Sequence, residues 1–186
     1  MKKLLLIIAC TFFGVQLASA QEAFGKGDFV INAGIGFGST LHTGTGMKTT
    51  VPPISASLEY GMIGNLFDEN SSIGIGGVIG YSAQKHEFTT SGGKHETKYS
   101  DFLIGARGSF HYQFVSKLDT YAGVILAYDI VSVSHSSNDF GVSADGSSFF
   151  TGAFVGARYY FSDNFAAMAE VGYDIAVFKV GIAIKL

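Results

Sequence analysis

From residue 28 onward the chain alternates between apolar and small or polar residues. In DFVINAGIGFG (28–38), Phe29, Ile31, Ala33, Ile35 and Phe37 fall on one side of an extended backbone, with Asn32, Gly34 and Gly36 on the other. Period two is the mark of a strand with unlike faces. The pattern returns in ISASLEYG (54–61), where Ile54, Ala56, Leu58 and Tyr60 oppose Ser55, Ser57 and Glu59. Over 72–85, Ile73, Ile75, Ile79 and Tyr81 oppose Gly74, Gly76, Gly80, Ser82 and Gln84, and over 99–114, Phe102, Ile104, Ala106, Phe110 and Tyr112 oppose Asp101, Gly105, Arg107, Ser109 and His111. Segments 120–133, 147–161, 165–174 and 177–186 complete a set of eight predicted strands, the last setting Phe178, Val180, Ile182, Ile184 and Leu186 against Lys179, Gly181, Ala183 and Lys185. Between them, 39–51, 86–98 and 134–146 read as long polar loops, while 115–119 and 162–164 are short. The 63–71 turn is longer and 174–177 very short. In an up-and-down chain the three long loops share one end.

The two stripes decide the solvent. A water-soluble barrel needs a charged outer face. Here the less apolar stripe is Gly, Ala, Ser and Asn with sparse charges, which suits a packed lumen, and the apolar stripe is left to meet lipid. Phe29 and Phe37, Phe102 and Phe110, and Phe165 and Tyr173 each stand eight residues apart on the apolar stripe. At about 3.3 Å per residue and a tilt near 45° that spacing spans roughly 20 Å, close to the height of an apolar band between aromatic girdles. The expected fold is therefore all-β: an eight-stranded, antiparallel, up-and-down transmembrane β-barrel.

Composition narrows the alternatives. The 186 residues include 25 Gly, no Trp, two Pro and one Cys, with 15% charged residues. The segment MKKLLLIIACTFFGVQLASA has a basic start, an apolar core and Ala18-Ser19-Ala20 at its end, which predicts a secretory signal peptide over 1–20, cut after Ala20, and a barrel domain over 21–186. Two of the 12 basic residues leave with that leader, so 10 face 15 acidic ones in the mature chain. A net charge of −5 argues against nucleic acid, which needs a basic stripe. Cys10, the only cysteine, also leaves, so no thiol nucleophile, thiolate ligand or disulfide is expected in an oxidising periplasm.

With the strands placed, GARYYFSDNFAAMAEVGYD (156–174) and the terminal strand carry a resemblance. The whole mature chain resembles the small eight-stranded outer-membrane barrels related to outer-membrane proteins A and X, above all the "outer membrane protein beta-barrel" or porin-family proteins of Bacteroidetes-type bacteria. Its C-terminus is similar to the signal read by the outer-membrane assembly machinery: Lys179, Gly181, Ile184 and Leu186, with Leu186 where an aromatic residue is commoner. The resemblance implies a Gram-negative outer membrane and a monomer. It also implies contacts with outer-membrane lipid and lipopolysaccharide, and handling by periplasmic chaperones and the assembly machinery.

Candidate chemistry lies first in the lumen. Glu59, Arg107, Asp129, Arg158 and Glu170 fall on the inner stripe, and Arg107 and Arg158 are the only Arg. Bare charge in a narrow barrel is costly, so opposite charges should pair, with Glu170 expected to reach Arg158 from the neighbouring strand. A structural plug is the plain reading and a gate the sharper one. The repeated Lys-His-Glu around His86 and His95 evokes a metal site, but adjacent strand residues point to opposite faces, and no metal or cofactor is expected. His135, Ser137 and Asp139 or Asp145 could be composed into a lipid-A hydrolase triad, without any signal that they converge. GIGFG and GIGG lie within strands and form no nucleotide loop. The reading is a non-enzymatic outer-membrane barrel for structure or surface display, with a narrow gated channel and a lipid-A-modifying hydrolase as alternatives.

Overall fold

The computed structural model describes residues 23–41, 44, 46–90, 93–135 and 146–186. Eight strands follow in order: β1 (Phe29–Ser39), β2 (Met47–Gly64), β3 (Ser71–Thr90), β4 (Gly93–Val115), β5 (Leu118–His135), β6 (Ser148–Tyr160), β7 (Phe165–Tyr173) and β8 (Ala176–Lys185). Each pairs antiparallel with its sequence neighbours, and β1 closes on β8 from Val30↔Lys185 to Ser39↔Ala176. The result is a closed up-and-down barrel without a sheet edge. All eight expected strands are present.

Several boundaries differ from the sequence expectation, two of them widely. The 86–98 segment is mostly strand, because β3 and β4 stay paired from Lys85↔Lys98 to Thr90↔Gly93. The 39–51 segment likewise ends in strand, with β2 beginning at Met47. Above the apolar band both faces are polar, so the pairing continues while the alternation that reveals it stops. In β2, Pro52 and Pro53 add to the disguise. Proline donates nothing to a ladder, and the β2–β3 register shifts between Thr49 and Val51 and again between Val51 and Ile54.

The side chains are sorted inside-out relative to a soluble protein. Phe29, Ile31, Ile35 and Phe37 of β1 are exposed, while Val30 and Asn32 between them are buried. Val124, Leu126, Val155, Val171, Ile182 and Ile184 continue this outward apolar belt on other strands. Aromatic pairs stand near its two limits, Phe29 against Tyr60 and Phe37 against Phe178.

The N-terminal segment ahead of β1 folds into the short-turn end of the barrel. Phe24 is buried, its ring 4.1 Å from that of His111. The Ala23 amide donates to Gln113 Oε1 at 2.8 Å, and the Ser72 hydroxyl donates to the Phe24 carbonyl at 3.2 Å. Gly61 makes room for this stopper: a Cβ there would run into the Gly25 carbonyl. No periodic signal in the sequence foretells it. Phe24→Ala should lower stability by roughly 1.5–3 kcal/mol, the worth of one buried Phe side chain, read as a lower urea midpoint of the vesicle-inserted protein. An unchanged midpoint would show that the ring seals nothing.

Candidate functional site

Eight charged side chains of the interior form a connected set. Arg158, fully buried on β6, uses all three nitrogens: Nε donates to Asn32 Oδ1 and Nη1 to Asp119 Oδ2, each at 2.9 Å, and Nη2 to Glu59 Oε2. Its guanidinium carbon lies 4.5 Å from the centre of the Tyr121 ring. A planar fork satisfies three separated acceptors in a way that a lysine point charge does not.

Arg107 approaches the same tyrosine, 5.9 Å from the ring centre, and lies 4.1 Å from the Phe154 ring. Its Nη2 donates to Glu170 Oε1 at 2.8 Å and its Nη1 reaches Ser57 Oγ at 3.3 Å. Tyr121 completes this level by donating its hydroxyl to Glu170 Oε1 at 2.9 Å. Lys179 pairs with Glu170 Oε2 at 2.5 Å and with Asp174. Asn32 donates to Ser57 at 3.0 Å, which joins the Arg158 group to the Arg107 group.

His111 lies between two carboxylates, Nδ1 2.8 Å from Asp119 Oδ1 and Nε2 3.2 Å from Glu59 Oε1. Only an imidazolium donates from both nitrogens, so this geometry fits the protonated ring. The Ser109 hydroxyl also donates to Glu59 Oε1. In that state Arg107, Arg158, Lys179 and His111 balance Glu59, Asp119, Glu170 and Asp174. Every one of these side chains is buried. Charge balance with convergent hydrogen bonds is what makes such a set tolerable in a low-dielectric interior.

Of the five lumen residues named from sequence, Glu59, Arg107, Arg158 and Glu170 come together here. Asp129 is buried on the same face of β5, but it stands opposite Ser148, whereas the Arg158 level of that strand pair is Asp119. One expected partnership is corrected. Glu170 takes Arg107 and Lys179, and Arg158 takes Glu59 and Asp119. In the β6–β7 register Glu170 opposes Gly156 while Arg158 opposes Met168; Arg107 reaches across the lumen to Glu170, and Arg158 joins Asp119 on the adjacent β5 to Glu59 on β2 across the lumen. Asp119, Asp174, His111 and Tyr121 were not counted among the lumen charges. Asp119 lay in a segment read as turn, and the other three were missed because a stripe pattern does not say which members meet.

Of the C-terminal positions, Lys179 points inward into the network, Gly181 opposes Gly34, and Ile184 and Leu186 are exposed. Residues 1–20, with Cys10 and the expected cleavage point, lie outside the described residues, as do Ser137, Asp139 and Asp145 and the side chains of His95 and His135. The β3–β4 hairpin sets Glu87 opposite Glu96 and His86 opposite Thr97. Among the described residues no group of three or more His, Cys, Asp or Glu is placed to hold a metal.

Beyond the apolar belt, that hairpin carries its own ion pairs. Glu87 meets Lys48 and Lys85, each at 2.7 Å, and Glu96 meets Lys85 at 3.2 Å and Lys98 at 3.4 Å. Hydrogen bonds from Lys48 and then Lys85 hold the Glu87 carboxyl down at about 2. A carboxyl held below its ordinary value favours the fold above that ordinary range, and the contribution disappears as pH falls toward 2. A carbon-13 titration of Glu87 should therefore show a midpoint near 2, moving up toward the ordinary range in Lys48→Gln. An ordinary midpoint in the native chain would mean that these pairs do not persist in solution.

No protein-family model and no curated protein matches the chain. Solved structures do. Neisserial surface protein A is similar at 16% identity, the match covering 87% of this chain and 100% of that one, with a TM-score of 0.50. The N-terminal β-barrel domain of Pseudomonas aeruginosa OprF matches at 14% identity, 88% and 100% coverage and a TM-score of 0.45. Ail, the attachment invasion locus protein of Yersinia pestis, solved with the heparin analogue sucrose octasulfate, matches at 12% identity, 86% and 95% coverage and a TM-score of 0.43. At these identities the likeness is one of fold, and the fold shared with Neisserial surface protein A is the closed eight-stranded antiparallel barrel.

Proposed function

We propose that this chain is an integral outer-membrane barrel with a structural or surface-display role, whose lumen is plugged rather than conducting. The observation that carries the reading is the double sorting of side chains: an exposed apolar belt outside, and a buried, charge-balanced network inside. An eight-stranded barrel leaves a lumen just wide enough for side chains to fill, and Arg107, Tyr121, Arg158 and Phe24 occupy it. The role read from this arrangement is non-enzymatic, because Ser109, His111, Glu59 and Asp119 are spent on one another and on Arg158. The long-loop end faces outward, where it contacts envelope or external partners. The signal peptide is removed after Ala20, and Lys179, Gly181, Ile184 and Leu186 present the terminal strand to the assembly machinery. The Bacteroidetes-type porin family is the affiliation that the sequence resemblance favours.

A second reading, a narrow gate, is favoured by Glu170, which both Arg107 and Lys179 hold and which could exchange between them. Topology provides the test of the first reading. Single cysteines at Ser91 and Ser137 should label in intact cells with an impermeant maleimide, and one at Asn164, in the short β6–β7 turn, should not. The reverse pattern would invert the barrel in the membrane.

A further inference from the structure

The β7–β8 hairpin brings an amine, a carboxyl group and a second carboxylate together inside the barrel. Lys179 of β8 stands opposite Glu170 of β7, with Nζ 2.5 Å from Glu170 Oε2. The same Nζ is in close contact with Oδ2 of Asp174, which lies in the turn between the two strands. The other Asp174 oxygen, Oδ1, accepts from the Ala176 amide at 3.1 Å. Glu170 is fixed from its far side, where Arg107 and Tyr121 both donate to Oε1. The turn closes over this group. Ile175, Ala176 and Leu41 form a buried apolar cluster. Gly80 and Gly36 admit it, because a Cβ on Gly80 would come within 2.6 Å of Ile175 Cδ1 and one on Gly36 would run into the Ala176 Cβ. Lys179 and Asp174 are 3% exposed and Glu170 1%, so water has little access to their contact.

This arrangement offers more than an ion pair requires. Unlike the two Arg side chains, Lys179 becomes a nucleophile by giving up one proton. We propose that Lys179 and Asp174 join in an intramolecular amide bond, with Glu170 as the catalytic proton carrier. Moving one proton across the Lys179–Asp174 contact gives a neutral amine and a neutral acid, a change that a low-dielectric site resists less than water does. Nζ then attacks Asp174 Cγ. Glu170 Oε2 takes a proton from the amine as the C–N bond forms, and the Ala176 amide donates to Oδ1 as charge builds there. Glu170 returns that proton to the Oδ2 hydroxyl, the C–O bond breaks, and one water leaves. Amine and acid become a secondary amide and water, with no change of oxidation state and no other reactant. Holding the groups in contact removes the entropic cost of an encounter. Arg107 reaches Glu170 from β4, so the arrangement is complete only in the closed barrel. The product also suits the interior. One cation and one anion disappear together, so Arg107, Arg158 and His111 still balance Glu59, Asp119 and Glu170. The step is a single turnover of the chain on itself and is independent of any role at the membrane.

Intact mass spectrometry of the full chain, refolded from urea into detergent, tests it. The unfolded chain should have the full mass of its sequence and should become lighter by one water after folding. Trypsin should then fail to cut after Lys179, so that 159–185 persists as one peptide with the same deficit, stable to hydroxylamine. Lys179→Arg keeps the charge and should stay at full mass. Asp174→Asn should lose one ammonia instead of one water, and Glu170→Gln should slow the loss by at least about tenfold. Heat-modifiable mobility on a gel reports that each variant is folded. If Lys179→Arg does not fold, the mass of the native chain and of its 159–185 peptide decide alone. Full mass in the folded native chain overturns the proposal. A deficit that persists in folded Lys179→Arg does the same, as does one that hydroxylamine opens, which marks a cyclic imide of Asp174. An equal rate in Glu170→Gln overturns Glu170 as the proton carrier.

Discussion

Arg158→Met should cost on the order of 3–5 kcal/mol of unfolding free energy, the loss expected when a buried pair keeps one partner without the other. Arg158 is fully buried, and its removal leaves Glu59 and Asp119, both buried, with His111 as the cation between them. Asn32 loses its donor as well. Adding Glu59→Gln to Arg158→Met should recover at least about 1 kcal/mol, because an unpaired charge is taken away. The geometry also makes a finer claim. In double-mutant cycles Glu170→Gln should couple more strongly to Arg107→Met, which it touches, than to Arg158→Met, which it meets only through Tyr121. Urea unfolding of the vesicle-inserted protein measures all of these. A single Arg158→Met loss below about 0.5 kcal/mol would place this side chain in water.

Charge on the outer wall should be as damaging, for a different reason. Val155 on β6 and Ile182 on β8 are 57% and 44% exposed, yet flanked by apolar neighbours. In hydrocarbon an introduced Arg there costs about 2–4 kcal/mol, falling toward zero near the interfaces. One residue away the penalty changes character. A Cβ on Gly156 would come within 2.6 Å of the Tyr121 ring and 2.8 Å of Glu170, so Gly156→Val fails by crowding the network, whatever its polarity. Val155→Arg should therefore be harmful in lipid and mild in detergent screens that solvate the belt, whereas Gly156→Val should be harmful in both. Equal tolerance of Arg at Val155 and Ile182 in bilayers would mean that the belt does not face lipid.

How far the sequence carries the structure can be read from individual residues. The run from Phe29 to Phe37 announced its outward face, because an apolar outer belt on one side and a packed lumen on the other impose strict alternation. Arg107 and Arg158 were placed inward by the same parity. Partner choice was not legible. Whether Glu170 meets Arg158 or Arg107 depends on strand tilt and on how the barrel closes, and neither is a property of one hairpin. Asp119 was hidden at the start of β5, where the strand begins within a segment read as turn. Phe24 was hidden because a stopper has no period. The β3–β4 extension was hidden because, beyond the apolar belt, both faces are polar and the pattern that betrays a strand is lost.

The most direct test of a sealed membrane barrel is single-channel recording across a planar bilayer. The native protein and Glu170→Gln, both verified as folded and inserted, would be compared under the same voltage. A lumen plugged by Arg107, Arg158, Lys179 and their carboxylates, and stoppered by Phe24, predicts no current steps in either protein. Steady steps in the native chain, or steps that Glu170→Gln enlarges while its unfolding midpoint stays put, would contradict the plug and establish a gate.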